Sequence, residues 1–193
     1  FDFTYLSCLP NFVVMAPSSG EELKNMINLS LSINDRPSAI RYPRDLAGDY
    51  DNKKPFQIIK IGKGKIVKKG KKIAFLNLGT RLKQVFETSK LIKNQFKIES
   101  TIVDMRFAKP IDKLIIKSLL KNHDILITIE ENAIGGFSSQ VNDYLLNSIR
   151  NTPKILNFFM KDEFIDQSDI GDQYLQSGIS PELIVKRVSK LLK

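Results

Sequence analysis

Residues 12–44 read FVVMAPSSGEELKNMINLSLSINDRPSAIRYPR, and this stretch decides the fold class. FVVMA, residues 12–16, is a short apolar run closed by Pro17, the pattern of a buried strand. Ser18-Ser19-Gly20-Glu21-Glu22 then offers two overlapping capping boxes, Ser18 with Glu21 and Ser19 with Glu22. Leu23, Met26, Ile27 and Leu31 follow at helical spacing, so the pattern predicts an amphipathic helix from Ser19 to about Asn34. Asp35-Arg36-Pro37 stops it, and SAIRY, residues 38–42, reads as a second strand closed by Pro43. A strand, a crossover of this length and another strand form a unit suited to parallel pairing.

The same alternation continues downstream. Residues 45–61 have no clear period and read as a linker, with Gly48 and Pro55 as punctuation. Residues 65–68 and 73–78, with Gly70 between them, read as a β-hairpin. Thr80 reads as the cap of a helix whose face carries Leu82, Val85, Phe86, Ser89, Ile92 and Phe96. Residues 98–105 predict a strand, Pro110 a helix start, and DILITI at 124–129 a strand buried on both faces. After Gly135-Gly136 come a helix with Phe137, Val141, Tyr144 and Leu145 inward, a strand at 154–159, and a last helix opened by Ser180-Pro181-Glu182. The fold class expected is α/β: a three-layer α/β/α arrangement around a mostly parallel sheet with an antiparallel edge strand, preceded by the tail of a second α/β domain.

Composition narrows the function classes. Of 193 residues, 42% are hydrophobic and 26% charged, too apolar for disorder. Cys8 is the sole cysteine and His123 the sole histidine, which argues against a disulfide framework, a cysteine zinc site or a multi-histidine metal site. Cys8 reads as inert packing and His123 as a helix cap or surface group. Apolar runs are too short to span a membrane, and the opening Phe1 reads as a piece of a longer protein. The net charge of +9 is local: residues 51–97 hold fourteen Lys/Arg against two Asp/Glu. That stretch is rich in lysine and poor in aromatics, which reads as a solvated fringe guarding a sheet edge rather than a nucleic-acid surface.

Two clusters could carry chemistry. Arg41-Tyr42-Pro43-Arg44 sits at the carboxyl end of a predicted parallel strand, where open α/β sheets place ligands. The chain uses seven Arg against twenty-three Lys, so two arginines three apart point to the planar fork that suits phosphate or carboxylate. Pairing with Asp35, Asp45 or Asp49 is the structural alternative. Glu130-Glu131-Asn132 before Gly135-Gly136-Phe137 could serve acid–base work or an anion cradle. The alternative, which the spacing favours, is a glycine turn that brings strand and helix close, with paired or solvated glutamates. No complete catalytic set is visible.

These blocks together resemble the 1-deoxy-D-xylulose-5-phosphate synthase family. The resemblance runs through FDFTYLSCLPNFVVMAPSSGEEL, PSAIRYPR, GKGKIVKKG, FLNLGT, TIVDMRFAKPID, HDILITIEENAIGGFSSQVNDYLL and FFMKDEFIDQSD, in order along the chain. It implies a transketolase-like transferase that needs thiamine diphosphate and Mg2+. Such an enzyme condenses pyruvate with glyceraldehyde 3-phosphate, with loss of carbon dioxide, for isoprenoid and thiamine biosynthesis. It also implies a homodimer, no nucleic-acid or membrane partner, and a bacterial cytoplasm or a plastid-type organelle. Residues 1–44 would end the pyrimidine-binding domain, 45–61 link, and 62–193 form the C-terminal domain. The resemblance makes Arg44 the anchor of the aldehyde's phosphate, with Arg41 a second candidate for positioning or interface. It puts the cofactor-binding, metal-binding and catalytic groups upstream of Phe1, leaving the fragment alone inactive. Asp45 departs from the family's usual glycine and could pair with Arg44. The competing readings are a non-catalytic anion-binding or regulatory module, and a transketolase or 2-oxoacid dehydrogenase β-type chain.

Overall fold

The computed structural model describes residues 1–44, 46, 51, 53 and 55–192. Any pairing of Asp45 with Arg44 lies outside the described residues. The strand–helix–strand reading of residues 12–44 holds in its elements, although Ile27 and Leu31 of the expected apolar helix face are exposed. β1 (Val13–Met15) and β2 (Ser38–Ile40) pair in parallel, Val14 opposite Ala39, across α2 (Gly20–Ser32). Ser19 is the cap of α2, its hydroxyl accepting from the Glu22 amide at 3.2 Å. The other serine is diverted: Ser18 Oγ donates to Asp104 instead of capping.

The larger sheet runs β3-β5-β4-β7-β8, formed by Lys65–Lys68, Thr101–Asp104, Lys72–Asn77, His123–Ile129 and Lys154–Phe158. Pairs β5–β4, β4–β7 and β7–β8 are parallel and only β3 is antiparallel, as the composite fold class requires. Alternate residues of β4 explain the layers. Ile73 and Phe75 pack with Val85 and Ile92 of α3 (Leu82–Phe96) and with Ile184 and Val188 of α7 (Pro181–Ser189). Ala74 and Leu76 pack on the other face with Ile116 of α4 (Lys113–Leu119) and with Phe137, Val141 and Leu145 of α5 (Phe137–Ser148). Each such fully buried large side chain contributes about 1.5–3 kcal/mol.

The hairpin reading is overturned. β4 is buried at every position from Ile73 to Asn77 and takes parallel neighbours on both sides, so β3 has no edge of β4 to join. β3 instead lies antiparallel along β5, and Gly70 turns directly over Glu99, where a Cβ would come within 2.2 Å of the Glu99 carbonyl oxygen. Other details also change. Asp112, not Pro110, caps α4, accepting from the amides of Leu114 and Ile115. Phe86 is 41% exposed, and Thr88 takes its place on the inner face of α3. Cys8 is exposed. His123 is buried within β7, its ring bonded to Thr101 Oγ1 and to the Leu119 carbonyl.

Three elements were not anticipated: α1 (Asp2–Cys8), β6 (Phe107–Lys109) and α6 (Ile170–Gln176). β6 matters most, because it pairs antiparallel with β1 and closes a second sheet, β2-β1-β6. Arg106, at φ 61°, turns the chain between β5 and β6 and so from one sheet to the other. No helix among the described residues is long and apolar enough to cross a membrane.

Candidate functional site

The site forms where loops leave the carboxyl ends of strands in both sheets. After β2, the Arg41 amide donates to the Met15 carbonyl at 2.9 Å, extending the parallel pairing by one residue. Pro43 then ends it, since proline has no N–H for a ladder. Tyr42 and Pro43, with Ser18, Ser19 and Gly20 at the start of α2 and with Thr80, line a cleft of about 260 Å³. Among the described residues no three His, Cys, Asp or Glu side chains come together as a metal site.

The two arginines part company here. Arg41 turns into the protein: Nη1 donates to Glu131 Oε2 at 2.9 Å and Nη2 to the Glu131 carbonyl at 3.2 Å. Its Nε lies 3.5 Å from Asp2 Oδ2, and the guanidinium sits 5.4 Å from the centre of the Phe3 ring. Among the described residues its carboxylate partners are therefore Asp2 and Glu131, whereas Asp35 pairs with Arg36; Asp45 and Asp49 lie outside the described residues. Arg44 is exposed and has no ion-pair partner among the described residues.

The two glutamates after β7 also divide their roles. Glu130 is fully buried and accepts the Phe137 and Ser138 amides at 2.8 and 2.7 Å, capping the open end of α5. Burial raises its pKa, and the amide donors counter part of that rise. Gly136 is required beside it: a Cβ there would lie 2.3 Å from Glu130 Oε2. The glycine pair therefore serves close approach and Glu130 is paired. Glu131 faces the other way and takes Arg41, Thr80 Oγ1 at 3.1 Å and the Tyr174 hydroxyl at 2.5 Å. Thr80 is thus a ligand of Glu131; Arg81 caps α3, with no side-chain cap bond. Tyr174 lies beneath Arg81, whose guanidinium is 3.5 Å from its ring centre.

A second buried cluster ties α2 to β5 and β6. Asp104 accepts from Ser18 Oγ at 2.5 Å and from the Arg106 amide at 3.2 Å, while Arg106 Nη2 meets Glu22 Oε1 at 2.5 Å. Burial first, and the charge of Glu22 in addition, pushes the Asp104 carboxyl up to about 6. Asp2, Thr80, Asp104 and Tyr174 carried no local signal for these roles.

Residues 62–184 match the family described as "Transketolase, C-terminal domain". The chain belongs to that family. It is 36% identical over 196 residues to 1-deoxy-D-xylulose-5-phosphate synthase 1, chloroplastic, of Cannabis sativa, a match that takes in the whole chain. The resemblance read from the sequence motifs thus extends along the full chain, which spans 27% of that relative's length. Among solved structures, a split-gene transketolase described as an inactive β4 tetramer superposes with a TM-score of 0.82 at 24% identity, covering 98% of this chain and 60% of the other. A transketolase mutant from Pichia stipitis superposes with a TM-score of 0.69 at 14% identity, covering 96% and 26%. These likenesses show the fold.

Proposed function

We propose that the chain is part of a thiamine-diphosphate- and Mg2+-dependent synthase that joins pyruvate to glyceraldehyde 3-phosphate, giving 1-deoxy-D-xylulose 5-phosphate. In this reading residues 1–44 end a pyrimidine-binding domain, 45–61 are a linker and 62–193 are a C-terminal domain. The whole enzyme is a homodimer, and other parts of it hold the cofactor, so the fragment alone is inactive. It works in a bacterial cytoplasm or, like the chloroplastic relative, in a plastid-type organelle.

One observation carries the reading. Of the two RYPR arginines, Arg41 is taken up by Glu131 and Asp2, which leaves Arg44 at the carboxyl end of β2 as the exposed cation. Thiamine diphosphate, when bound, supplies the carbon nucleophile, and this chain's part is to hold the acceptor. A bidentate Arg44–phosphate contact would fix the aldehyde's far end and so the place of its carbonyl. Among the described residues no three His, Cys, Asp or Glu side chains come together to hold Mg2+.

The test is Arg44→Ala in the whole enzyme. Loss of a charge-assisted phosphate contact costs about 1.5–3 kcal/mol, or roughly ten- to a hundred-fold in kcat/KM for glyceraldehyde 3-phosphate. The KM for pyruvate should stay unchanged, and Arg44→Lys should recover part of the loss. Equal slowing with phosphorylated and non-phosphorylated aldehydes would overturn the assignment.

A further inference from the structure

The strand order β5-β4-β7-β8 reverses its direction of growth at β4, which makes the crevice between the carboxyl ends of β4 and β7 the switch point of the larger sheet. Open α/β sheets bind ligands at such a crevice. Thr80 follows β4 and Glu131 follows β7, and the two meet there at 3.1 Å. Yet a side chain from the other sheet reaches the same carboxylate: Arg41, which follows β2.

We propose that Glu131 is a positioning residue for the RYPR segment, the β4–β7 crevice acting as a socket that seats Arg41 and thereby sets Arg44. The proposal rests on the phosphate reading of Arg44. Glu131 is only 9% exposed, and its side chain gathers donors from Arg41, Thr80 and Tyr174. Tyr174 is itself held under the Arg81 guanidinium, so the carboxylate has little freedom to swing. Arg41 gives two hydrogen bonds to this one residue, one to the carboxylate and one to the backbone carbonyl, which fixes the plane of the guanidinium. Between Arg41 and Arg44 stand only Tyr42 and Pro43, and the fixed φ of the proline removes one rotation. Movement at Arg41 is therefore passed on to Arg44, although Glu131 touches no substrate.

The experiment is steady-state kinetics of the whole enzyme with pyruvate and either glyceraldehyde 3-phosphate or unphosphorylated glyceraldehyde. The variants are Glu131→Gln, Arg41→Lys, their double and Arg44→Ala. Glu131→Gln keeps an acceptor oxygen but removes the charge that orients Arg41. It should raise KM for the phosphorylated aldehyde about five- to tenfold and leave the unphosphorylated one within about twofold. Arg41→Lys, which keeps the charge and loses the fork, should shift the same ratio, and the double should be no worse than the stronger single.

The two readings fail in different ways. If Arg44→Ala discriminates between the aldehydes and neither Glu131→Gln nor Arg41→Lys does, the positioning role is overturned and the phosphate reading stands. If the Glu131 and Arg41 variants slow both aldehydes alike, Glu131 is a structural joint and the proposal is overturned. If Arg44→Ala does not discriminate, the phosphate reading falls and the proposal with it. Should Glu131→Gln not fold, Arg41→Lys decides by the same ratio.

Discussion

The Ser18 hydroxyl and the Asp104 carboxylate, 86 positions apart, meet at 2.5 Å and join the α2 start to the end of β5. This contact contains a titrating group. Asp104 is raised from 3.8 to about 6, chiefly by burial. A carboxyl whose folded pKa lies above its unfolded value binds more protons in the folded state between those two values. Its contribution therefore favours folding as pH falls from about 6 towards 4, and is lost as pH rises through the folded pKa.

Asp104→Asn should remove that slope. The amide can accept from the Arg106 N–H through its oxygen and donate to Ser18 through its nitrogen, so both local bonds can survive. A shift of this size corresponds to about 3 kcal/mol between low and neutral pH. Urea unfolding at several pH values should show the variant equal to or above the parent at pH 7, and a flatter profile between pH 4 and 6. An unchanged slope would mean that Asp104 is not the titrating group.

Gly136→Ala should be costly although the position lies in a loop. Its Cβ would fall 2.3 Å from Glu130 Oε2 and 2.4 Å from Asn132 Nδ2, and Glu130 cannot retreat without releasing the α5 amides. Uncapping a buried carboxylate and two amides together should cost about 2–4 kcal/mol. Chemical denaturation checks the total, and amide exchange at Phe137 and Ser138 checks the mechanism. A cost below about 0.5 kcal/mol, within the surface range, would show that the loop relaxes freely.

Gly70→Ala tests the strand order itself. In a β3–β4 hairpin, residue 70 would sit at an open turn and tolerate alanine. In the observed sheet its Cβ meets the Glu99 carbonyl oxygen at 2.2 Å and the Ser100 carbonyl carbon at 2.4 Å, both backbone atoms. The substitution should therefore detach β3 and cost about 2 kcal/mol or more, with faster exchange confined to 65–68 and the facing amides of β5.

Legibility followed the range of the interactions. The start of α2 is legible because it is decided by Ser19 and Glu22, neighbours in sequence. Helical spacing misplaces its inward face: Met26 is buried, whereas Ile27 and Leu31 are exposed and Glu22 and Asn25 turn inward. The start of α7 could be read for the same reason, since Ser180 caps it and Pro181 opens it. The hairpin was misread because Gly70 looks the same whether its strand returns beside β4 or crosses to β5. Only the demand of β4 for two parallel neighbours separates these cases. α6, with IGDQYLQ and no buried residue, offers no apolar period. At the site, Arg41 and Arg44 could be picked out by type and place, but not told apart. The partner that separates them, Glu131, is 90 positions from Arg41, 51 from Thr80 and 43 from Tyr174, and no local pattern marks such a meeting.

β6 makes a last prediction about how the two sheets depend on each other. From the sequence, residues 1–44 carry too few strands to stand alone and should exchange their amides quickly. The structure gives β1 a partner from beyond position 100: Met15 lies opposite Phe107 and Val14 opposite Lys109, and the Ala16 amide donates to the Arg106 carbonyl at 2.9 Å. Phe107 is fully buried against Val13, Met15, Met26 and Ile59, so its ring is the wedge of the smaller core. Phe107→Ala should cost about 3–5 kcal/mol, and the loss should not spread evenly. Hydrogen exchange should quicken at Val13–Met15 and Ser38–Ile40, while β4 and β7, paired on both sides within the larger sheet, remain the slowest segments. Equal acceleration in both sheets would mean that the chain unfolds as one cooperative unit, with β6 as its seam. Slow exchange at β1 in the variant would mean that β2 alone suffices to hold it.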